Sequence, residues 1–337
     1  MNKKEKGTVF FWRVSSPFLE FMSSVFKFSS FLFALSLLPL AGCAPAGRAA
    51  KAPPPGIQAP RVLLVSWDGA KPSVMKALLD AGELPNLKSL MDGGSWTLDA
   101  RVVGPTVTLP SHTTMVTGLP ASEHAITWNT HMPERGPVAA ETLFDLCREA
   151  GLKSAMVYGK EKFKHLVRPG SPDETAFVGG DAAQVAEAGE RFLRRGSFAL
   201  VMVHFAQPDA AGHDFGWGNE AKSVPPSKEY AHALAACDTG LGRLLGAVRE
   251  TGGGRALVIV TADHGGHDKT HGTDSEEDVL IPWVAGGASA AHLGELVPIV
   301  RSTDTAPTVL ESLGLTIPVA MVGKPVACLR VPLRKAA

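Results

Sequence analysis

The 337-residue chain lacks a charge excess of either sign: Lys and Arg together number 33, and so do Asp and Glu. Nucleic-acid binders usually show a basic surplus or stripe, so the balance argues against a nucleic-acid duplex as partner. A small anion needs only local positive charge and is not excluded. Cysteine is scarce. The four cysteines, Cys43, Cys147, Cys237 and Cys328, include no Cys-x-x-Cys pair, which removes that kind of structural zinc site. Cys147 and Cys237 fall in segments with helical character, and the expectation is two small buried hydrophobes, not a disulfide. An uninterrupted apolar run of the ~20 residues needed to cross a bilayer is also missing. Internal repeats are absent, as is any linker after about residue 60. What is present suits one large α/β domain: 45% hydrophobic and 20% charged residues, enough to bury a sizeable core.

The N-terminus has the pattern of a targeting segment. Lys3, Lys4 and Lys6, then Arg13 and Lys27, precede the apolar run from Phe31 to Leu40, which has the length of a signal-peptide core. The run ends in Leu40-Ala41-Gly42-Cys43, which resembles the bacterial lipobox. That resemblance implies cleavage before Cys43, lipidation of its sulfur, and export to the bacterial cell envelope with a membrane anchor. Met22 offers an alternative start that makes a more compact leader. Residues 44–60, with Pro53-Pro54-Pro55, suit an extended tether. The expected organisation is a leader over 1–43, a tether over 44–60 and a catalytic domain over 61–337.

Within that domain, apolar runs alternate with helical patterns. Val62–Val65, residues 153–158, Phe198–Phe205 and Ala256–Thr261 have the continuous apolar character of parallel strands buried on both faces. Helices are expected over Val74–Leu79, Leu87–Met91, 141–150, 181–195, 228–250 and Thr305–Leu313. The fold class is therefore a three-layer α/β/α sandwich with a mostly parallel sheet. Asp68, then Asp209 and His213, then Asp263 and His264 follow three separate strands. In open parallel sheets, ligands bind just beyond the strands' carboxyl ends. Acids and imidazoles gathered there suit zinc, with other first-row metals as alternatives. A pair of such ions can clamp the attacking and leaving oxygens of a phosphoryl transfer and activate a hydroxyl. The candidate hydroxyl is Thr108, at the start of a helix in which Pro110 suits the first turn.

Pro105-Thr106-Val107-Thr108-Leu109-Pro110-Ser111-His112, with Thr117-Gly118-Leu119, resembles the nucleophile segment of type I phosphodiesterases and nucleotide pyrophosphatases, in the alkaline phosphatase superfamily. Gln207–His213 and Thr261–Gly265 are similar to that family's later metal motifs, and Lys269-Thr270-His271-Gly272 to its final ligand motif. The resemblance covers residues 61 to about 325. It implies two divalent ions, zinc first: one held by Asp68, Thr108, Asp263 and His264, the other by Asp209, His213 and His271. It also implies that Asn129 donates to a phosphate oxygen. His267 is the rival of His271; Thr106 and Ser111 are rivals of Thr108.

The sequence departs from the family in two places. Val107 stands where animal nucleotide pyrophosphatases carry lysine, and few residues separate His264 from His271. Both put nucleotide specificity in doubt. Tyr158-Gly159-Lys160-Glu161-Lys162 resembles the basic pair that threonine-nucleophile monoesterases place near phosphate; a solvated face of Lys160, Lys162 and Lys164 is the alternative. The expected substrate is a small phosphorylated molecule. Phosphodiester or pyrophosphate bonds come first from the family, then phosphomonoesters, with phosphonate hydrolysis or phosphoryl transfer to envelope lipids as further alternatives. A surface-binding lipoprotein with a decayed site is the non-enzymatic alternative. The Cys/Ser-x-Pro-x-Arg context of a sulfatase is missing at the nucleophile segment. Nothing in the sequence sets an oligomeric state.

Overall fold

The computed structural model describes residues 61–251, 256–296 and 298–329. The lipobox with Cys43 and the Pro-rich tether lie outside the described residues. Eight strands form one sheet: β1 (Arg61–Trp67), β2 (Ser95–Arg101), β3 (Ser154–Tyr158), β4 (Glu174–Phe177), β5 (Leu200–Phe205), β6 (Ala256–Thr261), β7 (Leu280–Gly286) and β8 (Gly294–Glu295). Their order is β4-β3-β5-β1-β6-β7-β2-β8. Strands β4 to β6 of that order run parallel, while β7 is antiparallel to both β6 and β2.

Ten α-helices accompany the sheet among the described residues: α1 (Pro72–Asp80), α2 (Pro85–Asp92), α3 (Thr108–Thr117), α4 (Ala121–His124), α5 (Leu143–Glu149), α6 (Ala182–Arg195), α7 (Gln207–Phe215), α8 (Lys228–Glu250), α9 (Glu276–Val279) and α10 (Thr305–Leu313). α8 packs against α1, α2, α6 and α7, whereas α10 packs against α3 and α5, with α4 on α3. Those two groups cover the two faces of the sheet, which is why β5 and β6 are buried at every residue and β1 at all but Arg61. Helix ends follow local chemistry. Asp181 and Gln184 form a capping box at the start of α6, and Gly196 closes it in the left-handed conformation.

The expected strands and helices are present, and the sheet is mostly parallel. Four further strands, β2, β4, β7 and β8, escape the apolar-run signal, being short, half-exposed or antiparallel. Cys147 and Cys237 sit buried and unpaired in α5 and α8, and Cys328 is likewise a free buried thiol.

Candidate active site

The tips of four neighbouring parallel strands, β3, β5, β1 and β6, build the site. Asp68 follows β1 directly, Lys160 lies two residues beyond β3, and Asp263 and His264 lie just beyond β6. β5 runs into α7, whose helical spacing puts Asp209 and His213 four residues apart on one face. Across the opening, Thr108 is the first residue of α3, after Val107 in extended backbone.

Two groups of ligand atoms converge. Oxygens of Asp68 and Asp263 and a nitrogen of His264 lie within 4.8 Å of one another, as do those of Asp209, His264 and His271. His264 Nε2 is 3.5 Å from Asp68 Oδ1 and 3.3 Å from Asp263 Oδ2. In the second group His271 Nε2 is 3.3 Å from Asp209 Oδ1, and His213 Nε2 is 3.5 Å from the same oxygen. His264 thus touches both groups, being 3.8 Å from Asp209 Oδ1.

These atoms are poised for cations. Asp68 Oδ1, Asp209 Oδ1, Asp263 Oδ2 and His264 Nε2 are buried with no hydrogen-bond partner, a costly state unless a positive centre satisfies them. Each of the three imidazoles points its Nδ1 at a backbone carbonyl: His264 at Gly265, His271 at Thr106 and His213 at Lys269. A carbonyl only accepts, so Nδ1 carries the proton and Nε2 keeps its lone pair for a ligand bond. His213 and His271 aim those lone pairs at each other across 3.2 Å, an unfavourable contact that a shared cation relieves. Tetrahedral zinc with bonds of ~2.0–2.1 Å sets its ligand atoms about 3.3 Å apart, close to the spacings observed. The residues fit divalent metal.

Thr108 is buried, and its Oγ1 accepts from the Lys160 ammonium at 3.1 Å. The rival hydroxyls are engaged elsewhere: Thr106 Oγ1 donates to Thr273 O and Ser111 Oγ to Asp263 O. Lys160 also reaches Asp68 Oδ2 at 2.7 Å and Asp209 Oδ2 at 2.6 Å. Lys162 donates to Asn129 Oδ1 at 3.0 Å, and that oxygen also accepts from Leu109 N at 2.9 Å. The Asn129 amide is thereby left to donate through Nδ2. Lys164 points to solvent and pairs with Glu161. Lys160 and Lys162 therefore face the site, and only Lys164 fits the solvated alternative. His267 turns away onto Asp278 Oδ1 at 2.7 Å, and the same carboxylate accepts from Thr273, so Asp278 clips the turn that carries His271.

Charge in the cleft is strongly coupled. Burial works against the carboxylates of Asp209 and Asp263. The Lys160 ammonium outweighs it, together with the nearby imidazoles when these are charged: His213 and His271 for Asp209, His264 and His112 for Asp263. Both carboxyls are held well below the usual range. Burial likewise opposes the Lys160 ammonium, but Asp68, Asp209 and Asp263 more than compensate and raise its pKa. Lys162 is lowered, by burial and then by Lys160.

Two histidines without a site signal in the sequence lie against these groups. His112, four residues after Thr108, contacts Thr108 O at 2.8 Å, Asp263 Oδ2 at 3.3 Å and Ser66 Oγ at 2.7 Å. His204, inside β5, contacts Asp68 Oδ2 at 2.8 Å; burial first of all lowers its pKa to about 4. A histidine amid the otherwise apolar run Leu200–Phe205 is the one cue the sequence offered.

Residues 62–280 match the family model described as type I phosphodiesterase / nucleotide pyrophosphatase. The 2,3-bisphosphoglycerate-independent phosphoglycerate mutase of Roseobacter denitrificans is 28% identical over 236 residues, covering 60% of this chain and 41% of the relative. That of Onchocerca volvulus is 32% identical over 162 residues, covering 43% of this chain and 27% of the relative. The chain thus spans less than half the length of the curated relatives it matches. Among solved structures, murine ectonucleotide pyrophosphatase / phosphodiesterase 5 with AMP superposes with TM-score 0.62 at 17% identity, over 77% of this chain and 96% of that one. A phosphonate monoester hydrolase from Silicibacter pomeroyi gives TM-score 0.55 at 17% identity, over 79% and 76%. At such identities the superpositions establish the shared fold.

Proposed function

The chain belongs to the type I phosphodiesterase / nucleotide pyrophosphatase family of metal-dependent phosphoric ester hydrolases, and from that premise we propose that it hydrolyses phosphate monoesters with Thr108 as nucleophile. One observation carries the choice of monoester. Lys160 Nζ is 3.1 Å from Thr108 Oγ1, and Lys162 Nζ is 3.0 Å from Asn129 Oδ1. One ammonium on the hydroxyl and a second on the Asn129 side chain, whose oxygen also accepts from Leu109 N next to Thr108, favour a dianionic phosphoryl group over the monoanion of a diester. The phosphoglycerate named in the curated relatives is itself a phosphate monoester.

Asp68, Asp263, His264 and Thr108 would hold one divalent ion, and Asp209, His213 and His271 a second, zinc being the first choice for these donors. Such ions, when bound, supply Lewis acidity that lowers the pKa of a coordinated hydroxyl and neutralises phosphate charge. The residues of the chain do the rest. Thr108, at the positive end of α3, attacks phosphorus in line with the leaving oxygen. Lys160 and Lys162 donate to the non-bridging oxygens, and Asn129 Nδ2 adds a neutral donor where charge builds up. Water then hydrolyses the phosphothreonine from the side the leaving group has vacated.

The test is an aryl phosphate monoester and the matching diester, assayed side by side with added zinc, on wild type and Thr108→Ala. Wild type should prefer the monoester in kcat/KM, and the variant should lose both activities by about 10³-fold or more. A preference for the diester would overturn the monoester assignment, and an active Thr108→Ala would overturn the nucleophile. The proposed address is the outer side of a bacterial membrane, with lipid on Cys43; Cys43→Ala should move the protein from the membrane to the soluble fraction. Unchanged membrane association would remove the anchor.

A further inference from the structure

His204 stands at a junction for which the proposed chemistry has no direct use. It is buried within β5, in register with Ser66 of β1. Both ring nitrogens are engaged. Nδ1 accepts from the backbone N–H of Gly159 at 3.1 Å, and Nε2 lies 2.8 Å from Asp68 Oδ2. An N–H only donates, so Nδ1 is the bare nitrogen and Nε2 carries the proton toward Asp68.

Each contact has a consequence in the site. Asp68 Oδ2 receives His204 and also the Lys160 ammonium at 2.7 Å. Its other oxygen, Oδ1, is left without a hydrogen bond and faces His264 Nε2 at 3.5 Å. His204 therefore selects which oxygen of Asp68 is offered to a cation. Gly159 immediately precedes Lys160, so the bond to its N–H fixes where that lysine leaves the strand tip. Phe163 packs on the His204 ring from the same segment, 4.2 Å between centroids, and on His112 at 4.7 Å.

We propose that His204 is a positioning residue that couples the two halves of the site, orienting the cation-binding carboxylate of Asp68 with one ring nitrogen and the phosphate-binding Lys160 segment with the other. The Lys160 half rests on the function proposed above; the Asp68 half does not.

Two replacements separate the halves in the zinc-loaded protein. His204→Gln places an amide near the Nε2 position and can still donate to Asp68. His204→Asn places an acceptor near the Nδ1 position and can still take the Gly159 N–H, but is too short for Asp68. Zinc affinity is read by competition with a chromophoric chelator, and phosphate affinity by calorimetry with inorganic phosphate at saturating zinc. His204→Asn should weaken zinc by roughly tenfold to a hundredfold, as for other groups that orient a metal ligand, with phosphate affinity near wild type. His204→Gln should keep zinc affinity within about threefold and weaken phosphate by about threefold to tenfold, the value of one hydrogen bond. Parallel losses in both variants, tracking a shared drop in melting temperature, would reduce His204 to a packing residue. No change in either affinity would overturn the coupling outright. The zinc comparison needs no turnover, so a wild-type protein inactive on phosphate esters would sink the proposed function while the Asp68 half was still decided.

Discussion

The imidazoles of His264 and His271 lie face to face, 3.7 Å between centroids and 13° from parallel. One belongs to the group with Asp68 and Asp263, and both share the group with Asp209. Backbone carbonyls of Gly265 and Thr106 hold the two Nδ1–H groups, so neither ring turns without breaking a hydrogen bond. His271→Ala removes a ligand from one group only and should lower zinc from about two ions per chain to about one. His264→Ala removes the atom common to both and should cost more than one equivalent. Elemental analysis after dialysis reads this directly. Two equivalents retained by His264→Ala would dissolve the shared-ligand arrangement.

The lysines make a separate expectation. A charge-assisted hydrogen bond is worth about 1.5–3 kcal/mol, roughly ten- to a hundredfold in rate when it acts on the reacting phosphoryl group. Lys160→Ala and Lys162→Ala should each lower monoester kcat/KM by that much and diester kcat/KM by clearly less. Steady-state kinetics on paired aryl substrates measures the ratio. Equal losses on both substrates would mean the lysines stabilise the protein's own carboxylates and do not select a dianion.

The legible part of this protein is the part whose signal is local. The cores of β1, β5 and β6 are continuous apolar runs because helices cover both faces, and Asp68, Asp209 and Asp263 announce themselves by following such runs. β7 is buried at all but Leu280, yet nothing in Leu280–Gly286 encodes its antiparallel direction, which depends on the chain returning through α9. α7 was hidden by Pro208 and Gly212, though its spacing explains how Asp209 and His213 meet. His204 is the instructive miss. A buried histidine in a strand is indistinguishable from a core residue until its partners are known, and both, Asp68 and Gly159, come from other strand tips.

His124 gives a pH dependence away from the cation groups. It is buried, its Nδ1 accepts from Ile126 N and its Nε2 meets Thr114 Oγ1. Burial, the largest effect, lowers its pKa from 6.5 to about 4. Between those values the unfolded chain binds a proton that the folded chain refuses. The contribution is complete above pH 6.5 and is lost as pH falls toward 4, on the order of 3 kcal/mol in all. In His124→Gln that proton linkage is gone. Urea melts of both proteins from pH 7.5 to 5 should therefore show wild type losing stability relative to the variant, by on the order of 2 kcal/mol. Parallel curves would show that His124 titrates alike in both states.

Trp217 braces the three segments that carry Asp68, His213 and His271. Its Nε1–H donates to Gly69 O at 2.8 Å, in the turn after Asp68, and Tyr230 Oη donates to the same carbonyl at 2.7 Å. Its ring meets His213 edge-on at 4.9 Å and His271 at 5.8 Å. The fit leaves no space: a Cβ on Gly212 would lie 2.2 Å from the ring, and one on Gly266 2.5 Å from it. Gly212→Ala or Gly266→Ala must therefore shift the indole or the backbone, an overpacking cost of about 1–3 kcal/mol. Trp217→Ala should cost about 3–5 kcal/mol through the cavity it leaves. Trp217→Phe, which keeps most of the ring and drops the bond to Gly69, should fall between wild type and the alanine variant. Because the indole packs directly on the rings of His213 and His271, zinc loss in Trp217→Ala should begin with the Asp209 group. Chemical denaturation and zinc titration on the same samples test both parts. A variant that melts early but binds two ions with wild-type affinity would confine Trp217 to stability and remove it from the organisation of the site.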